Sequence, residues 1–229
     1  SASSFHSLST LCVAYYVQGE MSRRKCGPWQ FLWYNGINTF GKGIVMSIFT
    51  AIDFETANPY ANSACSLAAV TSDGTEAIRE AYTLIKPPFM RFDPMNISIH
   101  GITPDQVAGK PTFDKLWDRI RLHLEGRIVI AHYAVFDMRV LRSLIKTYSL
   151  EKPFVQYACT VEISRKVWPD LPNHKLDTMG RFLGIDFHHH QALDDARICA
   201  AIACAALKET QTSSLEELLD ATGLKLKTL

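Results

Sequence analysis

Apolar positions change period several times between Ile48 and Leu207, and each change marks an element. Ile48-Phe49-Thr50-Ala51-Ile52 is an apolar, β-branched run of strand length that ends on Asp53 and Glu55. A second strand is expected near Ser66 to Thr71, followed by the turn Ser72-Asp73-Gly74. A third is expected from about Ile78 to Ile85, where Pro87-Pro88 stops it. These three make an antiparallel meander. Thr103-Pro104-Asp105-Gln106 carries the marks of a helix start, with a capping Thr, Pro at the first helical position and Gln three residues after the cap. Phe113 to Leu124 continues as a helix, and a right-handed crossover then brings Ile128-Val129-Ile130-Ala131 parallel to the first strand. Val140, Leu141, Leu144, Ile145 and Tyr148 recur at helical spacing after it. Further helices are expected near Val161 to Val167, Lys175 to Leu183 and Ala192 to Lys208, with a short peripheral one around Ser214 to Ala221. In the longest of these, Ala192, Ala196, Cys199, Ala203 and Leu207 form a small-residue stripe suited to close packing on a sheet. No repeat or low-complexity segment interrupts the pattern, and the expected fold is α/β.

The elements place several acids together. Two-residue spacing on a strand puts Asp53 and Glu55 on one face. Asp137 falls at a strand-to-helix junction, and open α/β sheets bind ligands at such carboxyl ends of strands. Asp195 lies within one turn of the small-residue stripe, so its carboxylate points towards the strand end. Each segment has a plainer explanation by itself. An Asp-x-Glu pair arises by chance in a chain with 23 acidic residues, and Asp137 suits the positive end of a helix dipole. His188 to His190 read equally as a solvated loop, and Asp194-Asp195 as a charge pair at a helix start. In combination, four carboxylates and a histidine are the donor set of a two-metal nuclease. Mg²⁺ and Mn²⁺ prefer carboxylate oxygens, and a pair roughly 4 Å apart stabilises both the attacking and the leaving oxygen of a phosphodiester. Burying the same charges without metal costs several kcal/mol per ion.

The segments Asp53-Phe54-Glu55, His132 through Asp137, and His190-Gln191-Ala192-Leu193-Asp194-Asp195-Ala196 resemble, in that order, the motifs of the DEDDh exonucleases. This is the DnaQ-like group of the ribonuclease H-like superfamily, which includes polymerase proofreading subunits, RNase T and oligoribonuclease. Ile99 to Thr103 and Leu171 to Thr178 are also similar, so the resemblance covers roughly residues 48 to 207. One position departs from it: Tyr133 stands where the family usually has Asn, which puts a substrate or supporting contact in question. The resemblance implies a mixed five-stranded sheet, the antiparallel meander plus parallel strands, flanked by helices. It also implies that Asp53, Glu55 and Asp195 hold one divalent cation, Mg²⁺ or Mn²⁺, and that Asp53 bridges to a second supported by Asp137. His190 would take the proton of the attacking water, for which its ordinary pKa of about 6.5 is suited. The implied reaction releases nucleoside 5′-monophosphates from 3′ ends of single-stranded DNA, in proofreading or repair. RNA trimming and a non-catalytic module binding a polymerase or nucleic acid are the alternatives. The third motif admits two registers, because His189 and Asp194 have the same separation as His190 and Asp195; small residues at Ala192 and Ala196 favour the second.

Weaker candidates surround these five. Thr56 and Ala57 follow the acidic pair where a backbone can approach the terminal nucleotide, or Thr56 caps a turn. His100 either contacts a sugar or base, or satisfies loop carbonyls; His132 either touches a phosphate or is a bonded strand-end residue. Asn173, His174 and Lys175 read as a polar helix start. Phe89 and Phe92 beside Arg91 pack in a loop, with base stacking as the alternative.

At 229 residues, 47% apolar and 21% charged, the chain has the composition of a soluble protein with one sizeable core. Its net charge of +1 excludes a broad basic stripe of the sort that grips long duplexes, which trimming of ends does not require. Residues 1–45 carry Arg23, Arg24, Lys25 and Lys42 against Glu20, a net +3, leaving 20 basic and 22 acidic residues, or −2, from Met46 on. This segment reads as an N-terminal extension to an exonuclease domain at 46–229. Met46 is the expected natural start, and a basic arm that meets nucleic acid or a partner is the alternative. Leu8 to Val17 is too short to span a bilayer and lacks a preceding basic segment. Six cysteines without metal spacing fit reduced thiols in a cytoplasmic protein.

Overall fold

The computed structural model describes residues 48–186 and 189–229, with the backbone of 39–40 and 44–45. The expectations for residues 1–45 lie outside the described residues, except for a two-residue antiparallel pair, β1 (Thr39–Phe40) with β2 (Ile44–Val45). The meander is β3 (Phe49–Thr56), β4 (Ala64–Ser72) and β5 (Ala77–Leu84), each antiparallel to the one before. Three helices follow: α1 (Pro94–His100), α2 (Pro104–Ala108) and α3 (Phe113–Leu124). The chain then forms β6 (Ile128–Ala131), α4 (Val135–Thr147), β7 (Gln156–Cys159), α5 (Thr160–Val167), α6 (Leu176–Phe182), α7 (Ala192–Thr210), α8 (Leu215–Thr222) and β8 (Lys227–Thr228).

The sheet is mixed, in the order β5-β4-β3-β6-β7-β8, with β3, β6 and β7 parallel and β8 antiparallel to β7. It has six strands rather than the expected five. The added strand, β8, is two exposed residues long and too short to leave a periodic signal. It is held by tertiary contacts: Leu229 N–H donates to Val155 O at 3.0 Å, and Lys227 Nζ pairs with Glu162 at 2.6 Å. The helix start at Thr103 is present as a capping box, but α2 ends at Ala108 and α3 begins afresh after Pro111.

Alternation along β3 decides which side chains reach which layer. Ile52 and Phe54 join the core formed with Phe113, Leu116 and Trp117 of α3 and Met138, Leu141 and Leu144 of α4. Phe49 and Ala51 face the opposite layer, where Ala192, Ala196, Cys199 and Ala203 of α7 pack with Ile163 and Leu215. Alanines and cysteine along that stripe let α7 lie close against β3 and β4. Asp53 and Glu55 share the parity of Phe49 and Ala51, so they emerge under α7 at the end of the strand. The β3–β4 register shifts between Glu55 and Thr56, an irregularity of the kind that re-aims side chains beside functional sites.

Candidate active site

Three segments converge at the carboxyl ends of β3 and β6. Asp53 and Glu55 come from β3, and Asp195 from the first turn of α7. One carboxylate oxygen from each of these three lies within 4.8 Å of the other two. Asp137 enters from the first turn of α4, on the other face of the sheet. Its Oδ1 accepts the N–H of Phe54, the residue between the two β3 acids, at 3.0 Å. Asp137 and Asp195 are 2% and 5% exposed. Asp194 instead pairs with Arg197 at 2.8 Å, so of the two registers the geometry brings Asp195, preceded by His190, to the β3 acids.

Burial acts on all four groups, and repulsion from the neighbouring acids adds to it at Asp53 and Glu55. Asp53 is raised well above the usual carboxylate range by burial, then by Asp137, Glu55 and Asp195. Burial pushes Glu55 up to about 8, with Asp195 and Asp137 adding to it. Burial also lifts Asp137 to about 8 against the opposing Phe54 N–H, and Asp195 to about 7 against the N–H of His190. No ion pair among the described residues involves any of the four. Asp195 Oδ2 accepts from His190 N–H at 3.0 Å, while its Oδ1 is buried with no hydrogen-bond donor. An orphaned carboxylate oxygen beside two further acids, all hard oxygen donors, fits a divalent cation.

His190 is exposed and takes a left-handed backbone, φ 68°, which lets its own amide reach Asp195. Its ring meets that of His189 edge-on, centroids 3.9 Å apart. Partial burial, then His189 and His100, lower its pKa, so the ring is a neutral proton acceptor near neutrality. Asp53, Glu55, Asp195 and His190 open into a cleft of about 880 Å³ that is also lined by Tyr133, Phe136, Arg165, His174 and Lys175.

The geometry has counterparts among known proteins. Residues 50–203 match the RNase_T exonuclease family. The chain belongs to that family. Relatives of this exonuclease include the PolC-type DNA polymerase III of Thermotoga maritima, 30% identical over 203 residues, and that of Bacillus cereus, 28% identical over 171. The alignments take in 82% and 73% of this chain but only 14% and 12% of those polymerases. The exonuclease therefore spans a small part of the length of its curated relatives. Among solved structures, exonuclease X bound to 5′-overhanging duplex DNA is similar at 26% identity and TM-score 0.62, over 76% of this chain and 99% of that one. The nuclease domain of 3′hExo, a DEDDh family member bound to rAMP, shares the fold at 21% identity and TM-score 0.62, over 80% and 96%.

The weaker sequence candidates divide differently. His132 lines the cleft, yet both of its ring nitrogens are used. Nε2–H donates to His174 O at 2.9 Å, which leaves Nδ1 to accept from the Thr160 hydroxyl at 3.0 Å; burial draws its pKa down to about 4. It ties β6 to the start of α5 and to the segment before α6, and its position allows no further phosphate bond. His132→Ala is expected to cost about 1–3 kcal/mol by orphaning these partners, measured as a shift in urea midpoint at constant slope. His100 belongs to α1 rather than to a loop, is 4% exposed, and bonds Thr56 O and Ile102 N–H. It braces the chain behind the acidic pair and keeps no ring nitrogen for a substrate. Thr56 is buried under Asn96, and Ala57, fully buried, bonds Ser63 O and Asp93 N–H through its backbone.

Asn173 lies just before α6, its Oδ1 accepting from Lys175 N–H and the Thr178 hydroxyl, yet Asn173, His174 and Lys175 also line the cleft. Arg165 and Lys175 give the cleft a cationic rim, where the sequence alone reads residues 173–175 as a polar helix start. Its signal, basic residues on α5 and before α6, was ambiguous without knowing which helix faces meet. Phe92 packs on Ala57 and Cys65, whereas Phe89 is exposed. Tyr133 has φ 68°, a conformation Asn accepts readily and that costs a bulky residue on the order of 1 kcal/mol.

Proposed function

We propose that this exonuclease shortens single-stranded DNA from the 3′ end, releasing nucleoside 5′-monophosphates. The observation that carries the reading is the cluster of buried carboxylates, which no ion pair among the described residues compensates and which lies beside His190 in an open cleft. Asp53, Glu55 and Asp195 would hold one divalent cation, Mg²⁺ or Mn²⁺, and Asp53 with Asp137 a second. Bound there, the pair supplies electrostatic stabilisation of the attacking and leaving oxygens. His190 accepts the proton of the attacking water on a ring nitrogen. Its amide, bonded to Asp195, holds that ring beside the carboxylates. Arg165 and Lys175 on the cleft rim attract the phosphates of the strand.

Similarity to a segment of PolC-type polymerases supports a DNA 3′ end as substrate and a DNA polymerase as partner, in proofreading or repair. Among the described residues no helix is long and apolar enough to cross a membrane. The test uses end-labelled single-stranded DNA and RNA of equal sequence with Mg²⁺, Mn²⁺ or chelator. A ladder shortening from the 3′ end of DNA, in metal alone, is expected. Cleavage confined to RNA would transfer the reading to RNA trimming, and no cleavage of either would end it.

A further inference from the structure

Tyr133 combines three properties that oppose one another in a residue serving only the fold. It adopts a left-handed backbone that disfavours large side chains, at the position where the family pattern has Asn. Its side chain is 65% exposed and takes part in none of the described hydrogen bonds or ring contacts; only its backbone oxygen is used, by Phe136 N–H at 2.9 Å. The ring therefore makes no described hydrogen bond or ring contact that offsets the strain. It nevertheless lines the same cleft as Asp53, Glu55 and His190, next to Phe136 and Val161. Strain without an internal return, at the wall of a reaction cleft, is the signature of a side chain positioned for a ligand.

A strand lying with a phosphodiester over the acids leaves the bases on either side of that bond in contact with the cleft walls. Bases stack on aromatic rings irrespective of sequence, because every base has a π face. We propose that Tyr133 is a substrate-stacking residue, its ring packing on one of the two bases that flank the scissile bond. This rests on the reading of the site as a single-strand 3′ exonuclease. The phenol takes the place of an amide with a flat, apolar surface, and it favours a strand with intact bases over one with abasic positions near its end.

The test compares wild type with Tyr133→Ala, Tyr133→Asn and Tyr133→Trp. Oligonucleotides carrying 2-aminopurine at either of the last two positions report stacking by quenched fluorescence in chelator, where no turnover occurs. Wild type and Tyr133→Trp are expected to quench one of them, and the Ala and Asn variants to lose the quenching. In Mg²⁺ the loss should fall on KM, raised roughly five- to hundredfold, and should vanish on an oligonucleotide abasic at the stacked position. Tyr133→Asn should also raise Tm by about 2–4 °C through relief of the left-handed strain. Equal quenching and equal KM in all four proteins would overturn the proposal. A wild type that quenches through Tyr133 but shortens no 3′ end would leave the stacking intact and remove the exonuclease direction instead.

Discussion

Asp53→Asn, Glu55→Gln, Asp137→Asn and Asp195→Asn are each expected to lower turnover by roughly a hundredfold or more while leaving the fold intact. Each change keeps the shape of the side chain and removes one charge from the cation site. The metal-free protein should respond in the opposite sense. All four groups have folded pKa values above the ordinary carboxylate range, about 8 for Glu55 and Asp137 and about 7 for Asp195. Below about pH 4 they are protonated both folded and unfolded, and they cost nothing. As pH rises from there through 8, the folded chain is made to ionise groups it holds protonated, so stability falls across that window. In chelator at pH 8 the neutral variants should therefore melt a few degrees above wild type, and at pH 4 the difference should close. Mg²⁺ should raise the Tm of wild type more than that of any variant. Wild-type turnover in two of the four, measured on a labelled oligonucleotide, would sink the cation assignment.

The second large effect separates neighbouring histidines. His190→Ala is expected to reduce turnover by roughly a hundredfold, the usual share of a general base, with the Mg²⁺-induced rise in Tm retained. His189→Ala should lose far less, because the amide that bonds Asp195 belongs to His190 and the carboxylate that joins Asp53 and Glu55 is Asp195. Asp194→Asn should likewise keep most activity, since that side chain pairs outward with Arg197. An inert His189 variant beside a vigorous His190 variant would reverse the assignment.

How much of this was legible in the sequence depends on the range of the force involved. The apolar, β-branched run Ile48 to Ile52 located β3 and its acidic pair, because a strand covered on both faces is apolar along its length and stops being so where the acids emerge. Helix α3 spans Phe113–Leu124, the expected limits, since its apolar stripe is broad and regular. Strands β7 and β8 were invisible: four residues, three of them buried, and two exposed ones hold their places by pairing with neighbours distant in sequence. The same limit applies to the site. The convergence of Asp53, Glu55, Asp137 and Asp195 could be argued from strand ends and a small-residue stripe. Whether His100 and His132 face substrate or protein depended on Thr56, Thr160 and His174, which no local rule connects to them.

The acids arrive on elements that cover opposite faces of one sheet, α4 over one layer and α7 over the other. With the proposed site, hydrolytic capacity is therefore expected to arise late in synthesis of the chain. Until α7 has left the ribosome and docked through Ala192, Ala196, Cys199 and Ala203, Asp195 and His190 are missing from the cleft, and a growing polypeptide is harmless to any nucleic acid it meets. Latency of this kind needs no inhibitor, because it follows from the order in which the proposed cation-holding residues are translated. Stalled chains ending before Ala192 should bind no Mg²⁺ at the site and cut nothing, and a cutting fragment of that length would refute it.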